Sequence, residues 1–331
     1  MDPPESFMTP VLARMFPSIR SAGDLLRACG PAIVLVLVFA AVIWIAPGIL
    51  KWRAINALLF DAAPLLILVI GSTLPVLLGC IDLSAAAMAS FSAVVVALLV
   101  PEFGSAAVPL VLVGAAGIGA AQGWLIGRLQ IPSFVMTLGT LGLFSGLALY
   151  LSDASTVALG PGVAPLDFLG GRSHGVPNAF LAVVAVWIFL SLLLRFTRLG
   201  RDIYAFGASE LAAYMSGVRR DLIRSCAFAI SSLCAALGGM MLLSQTLYSA
   251  PTMASNLLLP ALVGVVAGGT AISGGVGGLS ASLIGGLTAV MVRVGATIAG
   301  LPGAAQDVAF GIIILVAVAV TTDRTKIGIV K

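Results

Sequence analysis

Asp82 is the acidic residue set deepest in apolar sequence, and it stands two positions before Ser84. A carboxylate at membrane depth costs about 2.5–3.5 kcal/mol on insertion scales, so it must face protein or water. Two compatible roles follow. Asp82 and Ser84 wall a polar solute path, or they cap the helix that starts behind them by accepting its first backbone N–H groups. Gln122, Thr137, Gln245 and Asn256 are further polar side chains in or near apolar stretches. Each can hydrogen-bond a hydroxylated solute or bond one helix to another.

Other chemistries are excluded by what these residue types lack. The glycine-rich stretch Gly268–Gly278 invites a phosphate-loop reading, but such a loop needs Gly-Lys-Ser/Thr. The only lysines are Lys51, Lys326 and Lys331. Ser273-Gly-Gly275 lies between apolar runs, which argues against nucleotide binding there. Cys29, Cys80, Cys226 and Cys234 fall in or beside expected helices and read as small packing residues. His174 has no second ligand near it, so no metal site is expected, and no triad or paired acids suggest catalysis.

The elements that must position these residues are set by composition. The chain is 60% hydrophobic and 9% charged over 331 residues, with a mean hydropathy of +1.16. That is too little charge to cover a soluble domain. Pro31–Leu50, Ala62–Ile81, Leu83–Pro101, Phe103–Gly127 and Leu129–Ser152 carry no Asp, Glu, Lys, Arg or His, and neither does the long run Ser225–Val292. A helix needs about 20 such residues to cross the hydrocarbon core. The expected fold is all-α, a polytopic transmembrane helical bundle of about ten spans. They fall at 29–50, 59–79, 84–101, 106–127, 133–152, 177–195, 223–246, 256–272, 278–298 and 305–322. Pro64, Pro75 and Pro260 predict broken or kinked second and eighth spans. The transmembrane domain is expected at 29–322, between a cytoplasmic segment 1–28, read as no cleavable signal, and a cytoplasmic tail 323–331.

Charge orients the bundle. With both termini inside, the inner segments hold 13 Lys/Arg and the outer loops four, Lys51, Arg53, Arg172 and Arg293. The positive-inside rule then places both termini in the cytoplasm. Arg293 and Asp307 bracket the last outer loop, where they pair or snorkel outward. The isoelectric point near 9.1 reflects topology and is no sign of nucleic acid.

One polar insert stands out on the inner side, residues 196–222. Ser209 can N-cap a short helix over Glu210–Ser216, and Gly217 sits where a left-handed C-cap belongs. An ordinary loop could share this composition but would not need paired caps. The insert therefore reads as a docking element, with Gly200 and Gly207 as punctuation. On the outer side Asp153–Gly175 reads as a surface loop with a short re-entrant or interfacial turn, or as an ordinary connector. Gly119, Gly123 and Gly127 share one helical face and allow close helix approach. Gly79-Cys-Ile-Asp-Leu-Ser84 faintly echoes Gly268-Gly-Thr-Ala-Ile-Ser273, as duplicated halves would.

Four stretches in order resemble the permease subunits of bacterial ATP-binding-cassette importers for monosaccharides, the ribose/xylose/galactose type within the branched-chain amino acid permease superfamily. They are Gly79–Ser84; Ile131-Pro-Ser-Phe-Val-Met-Thr-Leu-Gly-Thr140 with Ser145-Gly-Leu-Ala148; Gly200-Arg-Asp-Ile-Tyr-Ala-Phe-Gly207 with Ala212-Ala213 and Ser216-Gly217-Val218; and Gly268–Gly275. Cys80, Ala85-Ala86 and Ala208-Ser209 depart from the family's usual residues.

The resemblance implies a second permease subunit, identical or homologous. It also implies cytoplasmic ATPase subunits that hold ATP and Mg, and a periplasmic or lipid-anchored solute-binding protein, all at the bacterial inner membrane. This chain itself is expected to bind no cofactor. The family's coupling helix falls on Ser209, Glu210, Leu211, Ala212, Ala213, Tyr214, Met215 and Ser216. The translocation path is expected at Asp82, Ser84, Phe134, Thr137, Gln245 and Asn256. Related permeases carry nucleosides or branched-chain amino acids, and a stand-alone secondary transporter or channel is the competing class.

Overall fold

The computed structural model describes residues 22–321; the expected tail 323–331 and most of the segment 1–28 lie outside the described residues. The described chain is helical: α1 (Ala22–Ile45), α2 (Trp52–Leu77), α3 (Ala85–Phe103), α4 (Ala107–Leu129), α5 (Ser133–Leu151), α6 (Ala164–Gly170), α7 (Asn178–Phe196), α8 (Arg198–Ala208), α9 (Glu210–Met215), α10 (Arg220–Thr246), α11 (Leu258–Ala267), α12 (Leu279–Ile298) and α13 (Gly303–Thr321). Among the described residues, six segments are long and apolar enough to cross a membrane. One of them, Ala85–Leu129, is two helices, because a 3-10 turn at Gly104–Ala106 separates α3 from α4.

The centre of the bundle is α2 and α10. Every residue of α2 from Ala62 to Leu77 is buried. Among the described helices the most extensive packing is α4 against α10. A Cβ on Gly119 would run into the Phe228 carbonyl, one on Gly123 into the Arg224 carbonyl, and one on Gly127 would sit 2.6 Å from the Asp221 Cα. The glycine stripe is thus a seam for backbone contact. By contrast α5 and α7 bury few of their residues; their exposed Leu, Ile, Val and Phe side chains suit hydrocarbon, which solvates them at no cost.

The prolines act unequally: the eighth span is broken as expected, whereas the second stays one helix. α2 runs unbroken through Pro64, and Pro75 falls in its last turn. The expected eighth span, 256–272, is only partly helical. After a 3-10 turn at Ser255–Leu257, α11 holds 10 residues, about 15 Å against a hydrocarbon core of about 30 Å. Pro260 lies in its first turn, where the missing N–H has no helical partner to lose.

The ends of α2 and α11 are built alike. Cys80 N donates to Pro75 O and Gly79 N to Val76 O; Thr270 N donates to Val265 O and Gly269 N to Val266 O. Both are Schellman ends with a left-handed glycine, Gly79 at φ +71° and Gly269 at φ +91°. The faint echo in the sequence is therefore structural, but it aligns Gly79 with Gly269 and not with Gly268.

The insert at 153–175 is more ordered than a loop. α6 buries Leu166 and Leu169 and packs on α10. Short ribbons pair Val157–Ala158 (β1) with Tyr248–Ser249 (β4), and Arg172–Ser173 (β2) with Val176–Pro177 (β3).

Candidate functional site

Ser209 is the hinge between α8 and α9. Its backbone is extended, and its hydroxyl accepts the Ala212 N–H at 3.3 Å. At the other end Gly217, at φ +88°, gives its N–H to Tyr214 O while Val218 N donates to Ala213 O, another Schellman end. Six residues are too few for an isolated helix to persist in water, so tertiary contacts must hold α9. Glu210 supplies them: its carboxylate lies 2.9 Å from Arg224 and 3.5 Å from Arg220, both on α10. Arg220 also stacks over the Tyr214 ring at 4.2 Å, and Arg224 lies over Phe206. Ala213 is buried beneath, while Leu211 and Met215 are 68% and 79% exposed. The helix is fixed from behind and offers apolar side chains outward.

α8, which leads into α9, was not foreseen. Leu199, Ile203 and Phe206 turn inward at helical spacing. Gly200 and Gly207, expected to break the segment, permit close contact instead: a Cβ at Gly200 would strike Leu194 O, and one at Gly207 would strike Leu77 O. Tyr204 donates its hydroxyl to Gly277 O at 3.2 Å. Burial pushes its phenol up from the usual value, so it stays a protonated donor.

Asp82, Ser84, Thr137 and Gln122 do come together, around the 78–84 loop. Asp82 Oδ1 accepts from Ser84 N at 2.9 Å and Ser84 Oγ at 2.6 Å; Oδ2 accepts from Ser231 Oγ at 2.7 Å. Gln122 Nε2 donates to Ser84 Oγ, and Thr137 Oγ1 to Ile81 O. The Ser84 hydroxyl, expected to accept from the start of α3, caps nothing and donates to Asp82. Asp82 is 1% exposed. Ser231 lies about 17 Å along α10 from Arg220 by helical rise, so this network sits toward the middle of α10. Phe134 meets it only through its carbonyl, which accepts from Thr137 Oγ1 at 3.4 Å, and the residue is 54% exposed on α5.

Gln245 and Asn256 meet elsewhere, in a cavity of about 430 Å³, within the range of small-molecule sites. Asp61 of α2 and Arg293 of α12 face the same cavity. Gln245 crosses to donate to Phe60 O at 2.6 Å. Among the described residues the Asp61 carboxylate and the Arg293 guanidinium make no direct hydrogen bond or salt bridge, and Arg293 does not pair with Asp307. The cavity lies at the far end of α10 from α9.

The model of the family described as branched-chain amino acid transport system, permease component, matches residues 54–318. The chain belongs to this permease family. It is 32% identical over 291 residues to a probable ABC transporter permease of Escherichia coli, YphD, covering 87% of each chain. It is 31% identical over 305 residues to the ribose import permease RbsC of Bacillus subtilis, covering 91% of this chain and 94% of that one. The inner membrane ABC transporter permease YjfF of Escherichia coli is 33% identical over 248 residues, 72% of this chain and 74% of that one. No solved structure matches.

As an ABC transporter permease, the chain is a non-catalytic, multi-pass membrane component without bound cofactor, and ATP hydrolysis belongs to separate subunits. Two groups of the permease escaped the sequence reading. Ser231 pairs with Asp82 across 149 positions, and a serine inside an apolar helix carries no signal of its partner. Asp61 and Arg293 come from different helices, and their meeting at one cavity has no local signature.

Proposed function

We propose that the permease forms, with a second identical or homologous permease subunit, the inner-membrane path of an ATP-driven importer for a monosaccharide. Two relatives that align over most of this chain, at 31% and 29% identity, are named ribose import permeases. The observation that carries the reading is α9: a short helix capped at both ends, anchored by Glu210, with Leu211 and Met215 facing outward.

Residues 209–216 dock in a cleft of the ATPase subunit, and closure of that cleft pushes on α8 and α10. α10 holds 27 residues, about 40 Å of rigid rod, and its far end lines the cavity. Solute released by a periplasmic or lipid-anchored binding protein enters there, past Gln245 and Asn256, and passes the Asp82, Ser84, Phe134 and Thr137 region as the cavity alternates. Ten passages with both termini cytoplasmic agree with the Lys/Arg distribution; α11 and the loop after it together make the eighth.

A second reading, an α-amino acid, is favoured by one feature. Asp61 and Arg293 face one cavity with apolar walls, which matches an ammonium, a carboxylate and an aliphatic side chain. Uptake into vesicles holding the whole transporter separates these. ATP-dependent accumulation of labelled ribose, not displaced by leucine, supports the sugar; accumulation of leucine alone overturns it. Uptake by the purified chain without ATPase would overturn the importer reading altogether.

A further inference from the structure

Three backbones meet beside α9 with no side chain between them. A Cβ on Gly207, in the last turn of α8, would run into the Leu77 carbonyl oxygen and the Gly275 backbone. That same Leu77 carbonyl, at the end of α2, accepts the Gly275 N–H at 2.9 Å. A Cβ on Gly79 would lie 3.2 Å from Ser273 O, and Tyr204 hydrogen-bonds Gly277 O at 3.2 Å. The last turn of α2, the loop before α12 and the helix that carries α9 are thus in direct main-chain contact.

We infer that this junction of Leu77, Gly207 and Gly275 transmits movement of α9 to α2 and α12, which makes Gly207, Gly275 and Tyr204 positioning residues for transport. The argument is mechanical. Side-chain contacts absorb displacement by changing rotamer, whereas close-packed backbones move together. The helices gripped at the junction reach the cavity at their other ends: α2 brings Leu58 and Asp61, and α12 brings Arg293 and Thr297. A tilt imposed at Leu77 and at the start of α12 therefore moves two walls of the cavity. This inference rests on residues 209–216 being the docking element.

The test uses the full transporter in vesicles, with solute uptake and ATP hydrolysis measured together. Gly207→Ala forces α8 off the other two backbones. The expected result is an assembled complex that still hydrolyses ATP but moves roughly tenfold less solute per ATP, the scale of a coupling free energy between sites. An assembled Gly207→Ala transporter with the wild-type ratio overturns the inference, even if both rates fall. Should Gly207→Ala not assemble, Tyr204→Phe decides. It deletes one hydroxyl, and a ratio lowered roughly two- to fivefold supports the junction, while an unchanged ratio overturns it. Replacing residues 209–216 with a Gly/Ser linker separates the two ideas. Continued uptake by that chain refutes the docking reading; lost uptake there with a wild-type ratio in Gly207→Ala refutes only the junction.

Discussion

The Glu210 carboxylate holds the Arg224 guanidinium at 2.9 Å, and so ties a six-residue helix to the first turns of α10, the rod that ends at the cavity. Glu210 is 39% exposed in its side chain, and such a pair contributes only about 0–1 kcal/mol to stability. Its value lies in orientation. Glu210→Gln is expected to leave the melting temperature of the purified permease nearly unchanged while ATP-dependent uptake falls several-fold. Met215→Asp changes an exposed side chain and is expected to shift stability by less than about 0.5 kcal/mol, while abolishing co-purification of the ATPase. Retained co-purification would argue against an apolar docking face.

The Asp82 network makes the opposite forecast, loss of stability. Ser231→Ala removes the donor to Asp82 Oδ2, a buried bond to a charged group worth about 1.5–3 kcal/mol. Asp82→Ala leaves the Ser84 N–H, its hydroxyl and Ser231 without their acceptor and is expected to cost more. Thermal unfolding in detergent measures both; equal melting temperatures for Ser231→Ala and wild type would contradict the network.

The α4–α10 seam gives a paired test on one helix. Gly123→Ala drives a methyl into the Arg224 carbonyl, and overpacking of this kind costs about 1–3 kcal/mol. Gly117 has open space around its missing Cβ. Gly117→Ala is therefore expected to be neutral or to stabilise by roughly 0.5–1 kcal/mol through helix propensity. Melting temperatures that move together in the two variants would refute the seam.

Much of this was legible in the sequence where the governing rule is local. Ser209 and Gly217 mark α9 because caps depend on neighbours within four residues, and apolar runs mark the long helices for the same reason. Legibility ends where tertiary contact reverses a local rule. Gly200 and Gly207 look like breaks in a loop, yet they lie inside a helix because two other backbones press on them. Pro260 reads as a kink but starts a helix. The glycine pair at 268 and 269 shifts the internal echo by one position, since only Gly269 takes the left-handed backbone.

At the cavity, the Asp61 carboxylate and the Arg293 guanidinium form no direct hydrogen bond or salt bridge among the described residues, which leaves both available to a solute that enters it. Asp61→Asn and Arg293→Gln are expected to raise the KM for uptake about tenfold or more, as loss of a charged hydrogen bond of roughly 1.5–3 kcal/mol does. Folding should be little affected. Uptake kinetics in vesicles read this directly; an unchanged KM in both would remove the cavity from the path.

The central claim is that an external ATPase drives this permease through residues 209–216. Replacing that segment with a Gly/Ser linker, in vesicles containing the full transporter, tests it most directly. The account predicts a chain that folds and inserts but shows no ATP-dependent solute uptake. Undiminished uptake would contradict it.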